Sequence, residues 1–146
     1  MQKTLLFSLG LLLLALAGPV QAIDFQVGQV WSYRTRPNEQ NSQLYVVRID
    51  RDLGSRPIFH IYVDGLKLKN PRIKGGIQTQ LAHMPVSQES LDASVVSMVQ
   101  ANASLPDITE GYVIWREAFL DGRAGVFTMT VGEAVQYIEN AFNKPK

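Results

Sequence analysis

The chain has 146 residues, with 14 Lys or Arg against 13 Asp or Glu, two His and no Cys. This near balance of charge argues against broad binding to nucleic acid or an anionic membrane, whose protein partners carry a clear basic excess. The absence of cysteine excludes thiol catalysis, disulfide exchange and cysteine-ligated metals, so packing alone must hold the fold.

The chain opens with "MQKTLLFSLGLLLLALAGPVQA". One positive charge at Lys3, a leucine-rich run from Leu5 to Ala17, a Gly18-Pro19 break and small residues at Val20 and Ala22 predict a secretory signal peptide, residues 1–22, cleaved after Ala22. The apolar run of ~13 residues falls short of the ~20 that a spanning helix needs, which weighs against a retained anchor. No membrane span is expected after the leader, and without a cysteine at the junction no lipid anchor forms there. The expected mature chain is a single domain, 23–146, periplasmic or secreted, long enough to bury a core. It carries 13 charges of each sign; residues 23–74 hold nine basic against five acidic, and residues 75–146 four against eight. That polarity either orients a partner or draws two halves of one fold together.

The first half of the mature chain reads as β-structure. In "VWSYRTRP", Trp31, Tyr33 and Thr35 alternate with Ser32, Arg34 and Arg36, the period of a half-buried strand, and Pro37 ends it. After the polar turn "NEQNS", "QLYVVRI" sets Tyr45, Val47 and Ile49 against Leu44, Val46 and Arg48. "IFHIYVDGLKL" follows, with Phe59, Ile61 and Val63 inward and Asp64-Gly65 as a turn signal; "IQTQLAHM" is one more strand at the sheet edge. Helical patterns then take over near Pro85. Ser87 is expected to cap a helix through "QESLDASVVSMVQAN" with Leu91, Val95, Met98 and Val99 as its stripe. "ITEGYVIWREAFLDG" predicts a second helix with Tyr112, Trp115, Phe119 and Leu120 near one face, stopped by Asp121-Gly122. "GVFTMT" reads as a short buried strand, and Thr130 with Glu133 forms a capping box for a last helix bearing Val131, Ala134, Val135, Ile138 and Phe142. Strands first and helices later predict an α+β fold, an antiparallel sheet of about four to five strands packed on one face by two to three helices.

Chemistry is sparse. No nucleophile elbow or phosphate-binding loop is present, and neither His60 nor His83 has metal-ligand spacing, so no cofactor or metal is expected. His60, Tyr62 and Asp64 alternate along one strand and would face away from the Phe59 core, as ordinary solvent-facing polar residues or as one side of a proton-transfer set. Side chains two apart on a strand are ~6.5–7 Å apart, so an outside group would have to complete any site. Arg34 and Arg36 lie opposite Trp31 and Tyr33, with Glu39 within reach; they either present planar donors to a carboxylate or phosphate, or form an internal Arg36–Glu39 pair that stiffens the hairpin.

The Trp-x-Tyr-x-Thr-Arg-Pro-x-Glu segment at Trp31–Glu39 and the His-x-x-Val-Asp-Gly-Leu segment at His60–Leu66 resemble the shared pattern of a group of short bacterial proteins, continued through "LPD" and "GYVIWREAF". The resemblance implies one compact domain and carries no catalytic residues with it. Candidate binding residues are therefore Arg34, Arg36, Glu39, His60, Tyr62 and Asp64. The function expected is a non-enzymatic exported binding or inhibitory protein with a protein partner in the periplasm, of which an immunity protein blocking a toxic enzyme is one form. A small enzyme built on the His60, Tyr62 and Asp64 row and a structural or assembly factor of the cell envelope are the alternatives.

Overall fold

The structure is a computed structural model describing Gly18 and residues 21–145; apart from Gly18, Gln21 and Ala22, the predicted signal peptide lies outside the described residues. The elements run β1 (Val30–Tyr33), β2 (Gln43–Asp50), β3 (Ile58–Val63), β4 (Leu68–Lys69), β5 (Ile77–Gln78), β6 (Leu81–Val86), α1 (Gln88–Ser94), β7 (Val95–Gln100), α2 (Thr109–Leu120) and α3 (Val131–Phe142). Five strands form an antiparallel sheet in the order β6-β3-β2-β1-β7, and β4 pairs with β5 in a separate ribbon. This is the single α+β domain that the sequence pattern predicts.

Along β3, Phe59, Ile61 and Val63 all point to one face of the sheet, where Leu44 and Val46 of β2 and Leu81, Met84 and Val86 of β6 join them. Two helices close this face: α1 brings Leu91, and α3 brings Val131, Ala134 and Val135. Each such Val, Leu, Ile, Phe or Met side chain, when fully withdrawn from water, stabilises the fold by about 1.5–3 kcal/mol, and Ala134 by less. Both helices start on side-chain caps. Ser87 accepts from the Ser90 N–H, and Thr130 with Glu133 makes the expected reciprocal capping box.

The third helix lies on the other face. Because residue 60 alternates with Phe59 and Ile61, its side chain leaves the main core, and α2 covers it there with Tyr112 and Trp115. Helix α2 ends as predicted: Gly122 takes φ 72°, its N–H bonds to the Phe119 carbonyl at 3.0 Å, and the Arg123 N–H reaches the Ala118 carbonyl at 2.8 Å. Leu120 is 57% exposed, off the buried stripe that Trp115 leads.

Two expectations of secondary structure fail. The helix from Ser87 stops at Ser94, and Val95–Gln100 is a strand on the free edge of β1, with Val96, Met98 and Val99 exposed rather than in a helical stripe. The β-branched Val95-Val96 pair fits a pleated surface, and β1 offers an unpaired ladder to receive it. The Ser94 hydroxyl also turns back, donating to the Ser90 carbonyl at 2.5 Å while accepting from the Val131 N–H at 2.8 Å, so the helix end is tied to α3. "GVFTMT" is no buried strand. Phe127 alone makes a parallel bridge to Val86, and its ring packs partly against the core.

Candidate functional site

Two irregularities of register shape the sheet around the site. In β2, Val46 pairs with Ile61 and Arg48 with His60, so Val47 is an extra residue that shifts the alternation. Without that bulge Arg48 and Asp50 would follow Leu44 and Val46 into the core, as simple alternation implies; with it, Ile49 turns to the core side beside Phe59. On β6, His83 follows the core residue Met84 in alternation and so faces outward beside His60, while a second shift, between Ile61–Met84 and Val63–Leu81, returns Leu81 to the core face. The outer face of β2, β3 and β6 thus collects Arg48, Asp50, His60 and His83.

Helix α2 seals this cluster. Gly111 is required at the contact, since a Cβ there would lie 2.8 Å from the Cβ of His83. At the next residue, the Tyr112 hydroxyl donates to Asp50 Oδ2 at 2.7 Å. Trp115 packs on His60 with ring centroids 4.8 Å apart and donates its indole N–H to the Gly125 carbonyl at 2.9 Å. His60 is 0% exposed, so the expectation of a solvent-facing residue fails because α2 covers the strand from outside.

Asp50 is the hub. Its Oδ1 accepts from Arg48 Nε at 2.8 Å, and its Oδ2 from Tyr112 and from His60 Nε2 at 3.1 Å. Burial works against the ionised carboxyl, yet the hydrogen bonds from Tyr112 and Arg48 and the charges nearby outweigh it and hold Asp50 below the usual carboxylate range. An ionised Asp50 can only accept, which puts the proton of His60 on Nε2 and leaves Nδ1 as an acceptor. His83 Nε2, 2.9 Å away, must then donate to it, leaving His83 Nδ1 as the unprotonated end of the chain. Burial lowers the His60 value against the pull of Asp50. His83 is pushed down to about 4, by burial first and the neighbouring His60 second. The pair is therefore neutral near pH 7.

Beside this sealed network lies an open, polar cleft of about 430 Å³. Arg48, Arg51 and Arg116 line it together with Tyr112, Asp50 and Asp52. Arg116 is one turn from Tyr112 on the same helix face. The Arg48 guanidinium sits 4.3 Å above the Tyr112 ring, which fixes it at the mouth while its Nε holds Asp50. Among the described residues Arg51 and Arg116 enter no ion pair.

The residues singled out from sequence fall into three separate places. Arg34 caps α1: its backbone N–H donates to the Ser94 carbonyl at 2.9 Å and its guanidinium to the Ala93 carbonyl at 2.5 Å, satisfying a helix C-terminus. Arg36 pairs with Glu39 and, at 3.3 Å, with Glu139, so the internal pair is present. Glu39 is only 3% exposed and also accepts from the Lys67 N–H at 2.9 Å. Tyr62 donates to the Gln80 side chain. Asp64 accepts from the Gln43 N–H at 2.9 Å and the Tyr45 hydroxyl at 3.1 Å, beside Gly65 at φ 60°. His60, Tyr62 and Asp64 thus serve three different networks. Alternation could not find Asp50, His83 and Tyr112, but the charged run Arg48–Asp52 and the i, i+4 pair Tyr112 and Arg116 are visible in the sequence.

Among the described residues no three His, Cys, Asp or Glu side chains are placed to hold a metal ion, and no helix is long and apolar enough to cross a membrane. Comparison with protein-family models, with curated proteins and with solved structures returned no match.

Proposed function

We propose that this chain is an exported periplasmic binding protein without catalysis of its own, an immunity-type inhibitor that blocks a partner enzyme or toxin through the arginine-lined cleft. The observation that carries this reading is the convergence of Arg48, Arg51 and Arg116 with Tyr112 at one open cleft. Arginine and tyrosine are the side chains that anchor protein interfaces, and planar guanidiniums grip carboxylates in a bidentate way. A partner seated there, burying ~800 Å² on each side, would have its own acidic group neutralised and its substrate access obstructed. The charge division of the chain favours the same orientation, since the basic residues before Lys74 outnumber the acidic ones. An enzyme reading on the His60 face has less support, because His60 is enclosed and Tyr62 and Asp64 are engaged elsewhere.

The test is affinity capture from an extract of the source cells, with the chain from residue 23 onward as bait beside an Arg51→Glu, Arg116→Glu variant. One stoichiometric partner held by the first bait and lost by the second supports the reading. A partner retained equally by both, or no specific capture, overturns it.

A further inference from the structure

The open cleft and the histidine pair, buried His60 with half-buried His83, share a single carboxylate. Arg48 uses its Nε on Asp50, while its side chain is 51% exposed at the cleft mouth. An anion entering between Arg51 and Arg116 therefore competes with Asp50 for Arg48. Every other group on Asp50 is already engaged: Tyr112 at 2.7 Å and His60 at 3.1 Å. If Arg48 swings toward a ligand, Asp50 loses its one cationic partner inside a buried site, where an uncompensated carboxylate is strongly disfavoured. The adjacent group that can supply a positive charge is the imidazole pair.

We propose that the cleft binds an oxyanion, a carboxylate or phosphoryl group, and that its binding takes up one proton from solvent on the His60–His83 pair. This rests on the cleft reading above and specifies the partner group that the cleft accepts. The proton enters at His83 Nδ1, the end of the hydrogen-bonded chain, and the resulting charge is shared toward Asp50 through His60. The groups that face the pair are Arg48 and Asp50 from β2 and Tyr112 and Trp115 from α2, with Arg116 close to Tyr112. Of these, Asp50 alone brings negative charge, so releasing Arg48 from it favours the imidazolium. Linkage makes the effect reciprocal: if the anion promotes proton uptake, protonation must tighten anion binding by the same factor.

Sulfate and oxalate are suitable probes, one tetrahedral and one planar, because neither titrates between about pH 5 and about pH 8, the range in which histidine changes charge. Calorimetric titration of the purified protein should show affinity rising about fivefold to tenfold over that fall in pH, with net proton uptake on binding in two buffers of different ionisation enthalpy. Histidine resonances of the unsubstituted protein should titrate at higher pH when the probe is present, and circular dichroism checks that the fold is intact throughout. His83→Gln should keep binding and lose the pH slope. The tighter probe distinguishes a phosphoryl from a carboxylate partner. Equal affinity at both ends of the pH range, or an unchanged slope in His83→Gln, overturns the proton coupling. If neither probe binds while a captured protein partner still depends on Arg51 and Arg116, the oxyanion inference fails and the partner reading stands. If the probes bind with the expected slope and no partner depends on those arginines, the inference stands and the partner reading fails.

Discussion

The molecule contains two arginine-rich corners that look alike in sequence and differ in what surrounds them. At the β1–β2 turn, Arg34 closes the end of α1, and Arg36 is held between Glu39 and Glu139. Between the β2–β3 turn and α2, Arg51 and Arg116 line an open cleft, and of its three arginines only Arg48 is paired. A guanidinium whose donors are already used by a buried carboxylate and by helix carbonyls has little left for a ligand. Availability, not residue type, separates a structural arginine from a recognition arginine.

The largest expected effect breaks the first corner. Arg36→Ala leaves Glu39 buried with one backbone donor, and losing one partner of a buried pair costs about 3–5 kcal/mol; urea unfolding should show it. Arg51→Ala with Arg116→Ala removes exposed side chains without ion pairs and should shift stability by less than about 0.5 kcal/mol in the same experiment. If the two corners respond equally, the distinction between them is wrong.

Acid should loosen the second corner. His83 is depressed to about 4 in the folded protein, whereas the unfolded chain takes up the proton near the ordinary value of 6.5. The unfolded state therefore binds more protons as pH falls below about 6.5, and stability declines down to about pH 4, by at most about 3 kcal/mol for this half-exposed group once solvent screening is discounted. Asp50, also lowered, adds a loss in the same direction below its ordinary value of 3.8. Unfolding midpoints measured from neutral to acid pH should follow this slope, and His83→Gln should flatten most of it.

Gly111→Ala sharpens the geometry. A methyl group 2.8 Å from the His83 Cβ must push α2 outward, at a cost of about 1–3 kcal/mol, and faster amide exchange across α2 is the readout. Within the first corner a smaller change is expected from Arg34→Ala, which removes a charge and a hydrogen bond from the end of α1. A loss of about 1 kcal/mol in thermal unfolding is expected, and none would mean that the cap is idle.

Much of the fold was legible because it rests on local chemistry. Ser87, Thr130 with Glu133, and Asp121-Gly122 marked helix ends correctly, since a cap needs only residues within one turn. Val95–Gln100 was not legible: an apolar segment with a helical spacing became a strand because β1 had an unpaired edge to offer. The candidate site was the least legible part. Its alternation is interrupted at Val47 of β2 and between Leu81 and Met84 of β6, and each one-residue shift moves side chains to the other face.

By itself the sequence determined the α+β class, the β1–β2–β3 meander, the inward row of Phe59, Ile61 and Val63, and the starts of the helices, because hydrophobic periodicity and capping act over a few residues. Only the tertiary structure decided that Asp50, His60, His83 and Tyr112 meet, that α2 covers the outer face, and which arginines stay available. Those outcomes depend on bulges, on a glycine-sized approach and on pairing between distant residues, 62 positions apart for Tyr112 and Asp50 and 103 for Arg36 and Glu139. Contacts at that separation are set by how whole elements dock, and no local pattern encodes them.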